Sequence, residues 1–229
     1  MKKNLLFAAL FVSILPTANA GEFDKAVDPF TTIVATGNFA VTITEGTEEK
    51  VHVINNDTEI TDDRILVTVT GGTLDLRIKN DVVRDKPIEI IVYYKKIYQI
   101  ESKKDCKITV TSPIKGDLFT FICTTGGKIK ADVELSTIKV NISNGGTVNL
   151  GGTAKTAEYV IGTGGTIAAI NVKTETTSAK ISLLGDINCN VSTKLTVKIT
   201  SGGTVTYRGN PASYQEKITL GGTVTKLAD

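Results

Sequence analysis

The sequence predicts an all-β protein wound as a parallel solenoid, and three observations carry that prediction. A Gly-Gly pair followed one residue later by Ile or Val recurs as Gly126-Gly127-Lys128-Ile129, Gly145-Gly146-Thr147-Val148, Gly164-Gly165-Thr166-Ile167, Gly202-Gly203-Thr204-Val205 and Gly221-Gly222-Thr223-Val224. A worn copy, Leu184-Gly185-Asp186-Ile187, fills the one gap, and successive copies lie 18–20 residues apart. Apolar residues keep fixed places around these corners. The composition has 21 Gly, no Trp and many Thr, Val and Ile, which suits strands and tight turns rather than helices. A period near 19 residues belongs to one-dimensional stacks in which each repeat rests on its neighbour.

The columns assign a side to each residue. Three places before the corner stand Cys123, Ile142, Ile161, Ile181, Ile199 and Ile218; three places after its first residue stand Ile129, Val148, Ile167, Ile187, Val205 and Val224. Five before are Phe121, Val140, Tyr159, Ala179, Val197 and Glu216; five after are Ala131, Leu150, Ala169, Cys189, Tyr207 and Lys226. Alternate residues of a strand share a face, so these columns face inward while the Thr, Ser, Asn and Lys between them face out. Each rung then holds one strand before the corner and one after it. Rungs pair as parallel sheets about 4.8 Å apart. A second turn closes each rung, as at Leu150-Gly151-Gly152-Thr153 and Arg208-Gly209-Asn210-Pro211. Glycine suits the corners because a tight bend between sheets needs φ values that a Cβ penalises.

Residues 1–20 read as an export signal: Lys2 and Lys3, an apolar run from Leu5 to Leu15, and the small-x-small pattern Ala18-Asn19-Ala20. That run is too short to span a bilayer, and no later stretch is long and apolar enough. Residues 21–229 read as a single β-solenoid domain. Thr31–Ile54, Ile65–Ile78 and Pro87–Ile100 are longer, less regular strands, with turn signals at Thr36-Gly37-Asn38, Glu45-Gly46 and Gly71-Gly72. This N-terminal region is expected to cap the stack. Ile108 and Val110 continue the inward columns with Asp105-Cys106 in the corner place, so regular repeats run from about residue 105 to 229. The formal charge is +2, and loss of Lys2 and Lys3 with the signal brings it to zero, so no nucleic-acid footprint is expected.

Candidate chemistry is sparse. Cys123 and Cys189 fall in inward columns and read as small core residues; Cys106 sits at a corner and is expected to be exposed. A Cys106–Cys123 disulfide is left open, since it needs Cα atoms within about 7 Å. His52, the one histidine, lies in the alternating strand Val51-His52-Val53-Ile54 and reads as a surface residue, with no ligands at metal spacing. Asp57, Glu59, Asp62 and Asp63 form an acidic patch without the ordered spacing of a calcium loop, and read as solvated. The outward columns carry no paired carboxylates for glycoside hydrolysis. Thr147, Thr166, Thr204 and Thr223 stack after the corner, but Lys128 and Asp186 break any regular array. Lys180, Lys198 and Lys217 share an outward column and form a short basic ridge, the one candidate binding feature. No catalytic, cofactor or metal site is assigned.

The chain resembles the putative auto-transporter adhesin, head GIN domain family of exported bacterial proteins. The resemblance rests on Phe30-Thr31-Thr32-Ile33 leading into Gly37-Asn38-Phe39-Ala40-Val41-Thr42-Ile43-Thr44-Glu45-Gly46, on Leu150-Gly151-Gly152-Thr153-Ala154-Lys155, and on Tyr207-Arg208-Gly209-Asn210-Pro211 followed by Gly221-Gly222-Thr223-Val224-Thr225-Lys226. It implies a right-handed parallel β-helix, related in shape to pectin lyases, without catalytic residues and with a role in adhesion. Leu183-Leu184-Gly185-Asp186 departs from the family's Ser-Gly-Gly or Gly-Ser-Gly corner, so that corner is expected to be less regular.

Together these readings give a non-enzymatic exported protein of the periplasm, outer surface or medium. It would be an adhesin or cell-envelope binding scaffold whose partner is a surface glycan or an envelope protein; self-association through an open end of the solenoid is left open. The enzyme alternative is a polysaccharide lyase or hydrolase on the same fold. The register has a direct test. Ile181→Asp should lower the melting temperature sharply, because it forfeits roughly 1.5–3 kcal/mol of apolar burial and adds a desolvation cost, while Lys180→Asp should barely change it. Equal, small effects would overturn the assignment of sides.

Overall fold

The structure, a computed structural model, describes residues 21–57, 60–79 and 88–228. The expected export signal, Glu59 and Pro87 lie outside the described residues. The strands in chain order are β1 (Glu22–Ala26), β2 (Thr32–Thr36), β3 (Ala40–Glu45), β4 (Lys50–Asn55), β5 (Ile65–Thr70), β6 (Thr73–Ile78), β7 (Ile88–Tyr94), β8 (Gln99–Lys103) and β9 (Lys107–Val110). Then follow β10 (Ile114–Thr124), β11 (Lys128–Ser143), β12 (Thr147–Ile161), β13 (Thr166–Ile181), β14 (Asp186–Ile199), β15 (Thr204–Arg208), β16 (Ser213–Ile218) and β17 (Thr223–Lys226). Among the described residues the one helical element is a 3-10 turn at Asp62–Arg64.

From β10 onward every strand pairs in parallel with the next rung, and the expected columns are the observed register except at Leu150 and Ala169, where a shift between Asn149 and Gly151 intervenes. Cys123 pairs with Ile142, Ile142 with Ile161, Ile161 with Ile181, Ile181 with Ile199 and Ile199 with Ile218. After the corner, Ile129, Val148, Ile167, Ile187, Val205 and Val224 pair in sequence. Below the last rung these side chains are 2% exposed or less. The strands are long because they run through the second turn: in β11 Leu135 and Ile138 are both buried, with Ser136 and Thr137 taking up the change of parity between them.

The columns continue to the other end of the molecule, but not in chain order. β2 lies between β6 and β8, parallel to both, and β3 lies between β7 and β9. The first rung made by the chain is thus inserted between two made later. Its inward residues complete the columns: Leu76, Ala35 and Ser102 lie in line with Cys123, and Ile90, Val41 and Ile108 with Ile129. The cap is a smaller unit than the whole N-terminal region. β4 pairs antiparallel to β7, β5 antiparallel to β6, and β1 antiparallel to β4, closing the β6–β7 end.

The two corner glycines do different work. A Cβ on Gly165 would stand 2.9 Å from the Gly146 carbonyl oxygen and 2.6 Å from Ile142 Cγ2, and one on Gly185 would stand 2.9 Å from the Gly165 oxygen. On Gly164 it would meet nothing nearer than 3.9 Å. The second glycine is therefore fixed by the backbone of the rung beneath it, whereas the first faces open space at Gly145, Gly164 and Gly221 and, within 3.0 Å, meets only side chains at Gly126 and Gly202. This explains the worn corner: Leu184 replaces the tolerant position and Gly185 keeps the crowded one. Gly164→Ala should cost about 1–2 kcal/mol for its left-handed backbone. Gly165→Ala adds a collision with a backbone carbonyl and should lower the melting temperature several times further.

Candidate functional site

The residues most able to do chemistry are buried or already partnered. Cys123 and Cys189 are fully buried in the inward columns, and burial pushes both thiols up to about 12. Cys106 corrects the expectation of an exposed corner residue, since it too is fully buried. Lys107 pairs with Lys128, so Cys106 occupies the slot that holds Gly127 one rung above, and that slot faces inward. Beside it, the buried Ser102 Oγ donates to the Cys106 carbonyl at 2.7 Å and accepts from the Lys128 N–H at 3.2 Å. All three cysteines are thiols.

His52 lies on the outer face of β4, as its strand parity requires. What the sequence did not reveal is its partner, because the antiparallel pairing of β1 with β4 brings together residues 28 apart: His52 Nδ1 is 2.7 Å from Asp24 Oδ1. Lys50 Nζ donates to the other Asp24 oxygen at 3.3 Å, and these two hydrogen bonds, His52's first, hold the Asp24 carboxyl below its ordinary range. Glu22 stands 3.9 Å from His52 Nε2. This is a surface ion cluster; its strand neighbours include no serine or cysteine to serve as nucleophile.

The acidic patch divides. Asp57 is buried, correcting the expectation of a wholly solvated loop. Its N–H donates to Asn55 Oδ1 and its carbonyl accepts from Ile60 N–H, while Asn55 Nδ2 donates to the Ile60 carbonyl and to Asp62 Oδ1. Asp62 and Asp63 are exposed. Among the described residues no group of three His, Cys, Asp or Glu side chains is arranged to hold a metal ion.

The lysine column is brought together as expected. Lys180 pairs with Lys198 and Lys198 with Lys217 on adjacent parallel strands, and all three are exposed. Neighbouring strands lie about 4.8 Å apart, so three like charges stack at close range, which weakens a sheet. Two other lysines of the regular rungs have counter-ions, Lys115 with Glu134 at 3.1 Å and Lys139 with Glu158 at 3.4 Å. None of the three ladder lysines makes an ion pair with a described residue. Lys194, which sequence reading passed over, shares this face, four residues before Lys198 on β14. Its column is otherwise Thr176 and Ser213, so it carries no repeat signal. Between the second turn and the corner the outward residues of β13, β14 and β16 are Thr176, Ser178, Lys180, Lys194, Thr196, Lys198, Ser213, Gln215 and Lys217: four cations and no carboxylate. A separate open groove of about 670 Å³ follows the second turn, and its charged lining, including Glu134, Lys155, Lys173 and Glu175, has both signs.

Fold and surface together define a parallel β-solenoid that presents long polar sheet faces around an apolar core. The chain belongs to the family described as putative auto-transporter adhesin, head GIN domain, whose sequence profile matches residues 29–211. Among proteins of curated function, none matches the chain. Solved structures with this fold include a putative adhesin from Bacteroides fragilis NCTC 9343, at 22% identity and TM-score 0.81, over 93% of this chain and 99% of that one. A putative lipid binding protein from Parabacteroides distasonis ATCC 8503 matches at 16% identity and TM-score 0.73, over 91% and 96%. A putative adhesin from Parabacteroides merdae ATCC 43184 matches at 19% identity and TM-score 0.69, also over 91% and 96%. Likeness at these identities speaks to the fold. No helix among the described residues is long and apolar enough to cross a membrane.

The buried thiols yield a prediction. At pH 8 iodoacetamide should leave Cys106, Cys123 and Cys189 unmodified in the native protein and alkylate all three in denaturant, read by intact mass. Modification of native protein at the same rate would show that the core columns open.

Proposed function

We propose that this protein is a non-enzymatic, exported adhesin or envelope-binding module that grips an anionic polymer, an acidic surface glycan, along the ladder of Lys180, Lys198 and Lys217. The observation that carries the reading is three stacked lysines with no counter-ion among the described residues. Like charges held in register cost stability, and an anionic chain laid along the solenoid axis would relieve that cost while meeting one lysine per rung. The surrounding Thr176, Ser178, Thr196, Ser213 and Gln215 supply hydroxyl and amide groups for the neutral parts of a sugar. The family's description as an adhesin fits a rigid face that binds rather than a cleft that reacts.

The test uses immobilised polygalacturonate. Binding should weaken as salt rises. Replacing all three lysines by alanine should weaken it by about 1 kcal/mol each, or about a hundredfold in all. Lys155→Ala, on the mixed-charge groove, should leave it unchanged. Shortening of the polymer on incubation would overturn the non-enzymatic reading, and equal binding by the triple variant would overturn the site.

A further inference from the structure

The two ends of the stack differ. The β6–β7 end is closed by antiparallel strands, whereas nothing among the described residues covers the rung formed by β16 and β17. There the inward columns emerge into solvent: Ile218 is 36% exposed and Tyr214 43%. Val224 is only partly buried, although Val205 beneath it is fully so. Both strands also offer the unpaired backbone groups of a sheet edge.

We propose that this end is covered by the same end of a second copy, related by a two-fold axis through the Gly221 corner. β16 runs into the corner and β17 runs out of it. A two-fold axis along the bisector of the corner exchanges the two strands, so β16 of one copy lies antiparallel to β17 of the other, and the reverse pairing forms with it. Antiparallel partners share a face. Ile218, three residues before Gly221, then faces Val224, three residues after it in the second copy; Glu216, five before, faces Lys226, five after.

Charge supports this arrangement. The column five before the corner is apolar from Phe121 through Val197 and becomes acidic at Glu216; the column five after is uncharged from Ala131 through Tyr207 and becomes basic at Lys226. Opposite charges thus appear on one rung at mirror-related places in inward columns. Each is held there by a neighbour, Glu216 accepting from the Tyr214 hydroxyl and Lys226 donating to Asn210 Oδ1. An inward charge alone would simply guard an edge against indiscriminate pairing. The mirror placement does more. The two-fold exchange makes two Glu216–Lys226 pairs, so the charges complement this partner geometry. A head-to-tail filament is opposed by the antiparallel cap at the far end, which leaves a closed dimer with identical patches on both copies.

Light scattering on the exported chain, at concentrations from about 1 to 100 µM, tests the proposal; an interface of this kind should populate a dimer in that range. Glu216→Lys and Lys226→Glu should each place two like-charge pairs in the interface and raise the dissociation constant by about tenfold or more. The double variant Glu216→Lys/Lys226→Glu should return it to near the wild-type value. Should a charge reversal disturb folding, detected by circular dichroism, Glu216→Gln with Lys226→Gln removes the pairs without repulsion and should still weaken the dimer. A wild-type monomer throughout, open-ended polymers, or a double variant no better than the singles would each overturn it.

Discussion

Contact between the backbones of successive rungs is the constraint on which this structure depends. Parallel pairing at one strand spacing brings the carbonyl of one corner against the Cα of the corner above. At Gly146, Gly165, Gly185, Gly203 and Gly222 a side chain would fall within 3.1 Å of that oxygen. The corner glycines thus set how closely rungs approach, and the approach sets the fit of the aliphatic columns. Ile142, Ile161, Ile181 and Ile199 turn their Cγ2 atoms toward the glycine above, so the corner and the core column are one packed unit. The repeat in the sequence is the trace of this contact. That is why it survives at Gly185 while its neighbour at Leu184 has drifted.

Much of the fold was legible because a stack of identical contacts writes itself into the chain at one period. From Gly126 to Lys226 the columns read from sequence are the paired residues of the structure, save at Leu150 and Ala169, where a shift between Asn149 and Gly151 interrupts the pairing. The N-terminal region was less legible for a physical reason. Inserting β2–β3 between β6–β7 and β8–β9 breaks the link between order in the chain and order in the stack, so the columns persist in space without a period in sequence. Cys106 was misplaced by the same route. Corners were read as exposed turns, yet the second place of the corner points inward, and at Cys106 it is filled by a side chain where glycine is absent. Asp57 is buried in a hydrogen-bonded turn through Asn55 and Ile60, a local arrangement that composition cannot signal.

The candidate binding face was legible where it repeats and not where it does not. Lys180, Lys198 and Lys217 stand at one place in three consecutive rungs, whereas Lys194 joins them through strand parity alone. The Asp24–His52 pair was beyond sequence reading because it depends on an antiparallel pairing within the cap. A solenoid separates these roles. Its core columns tolerate only apolar side chains of fitted size, while its outward columns are free to vary, so a ladder of one charge can arise by single substitutions in successive rungs without disturbing what lies beneath.

The inserted first rung also bears on how such a chain can be assembled. A chain emerging N-terminus first would deliver β2 and β3 long before either of the rungs that flank them. Those strands must wait, with both edges open, until β6 to β9 have followed. Only then does a template exist, onto which β10 to β17 can be laid one rung at a time with contacts about 19 residues apart. The threading of a few N-terminal strands thus divides assembly into a non-local closure, which is intrinsically slow, and a local zippering that proceeds from it.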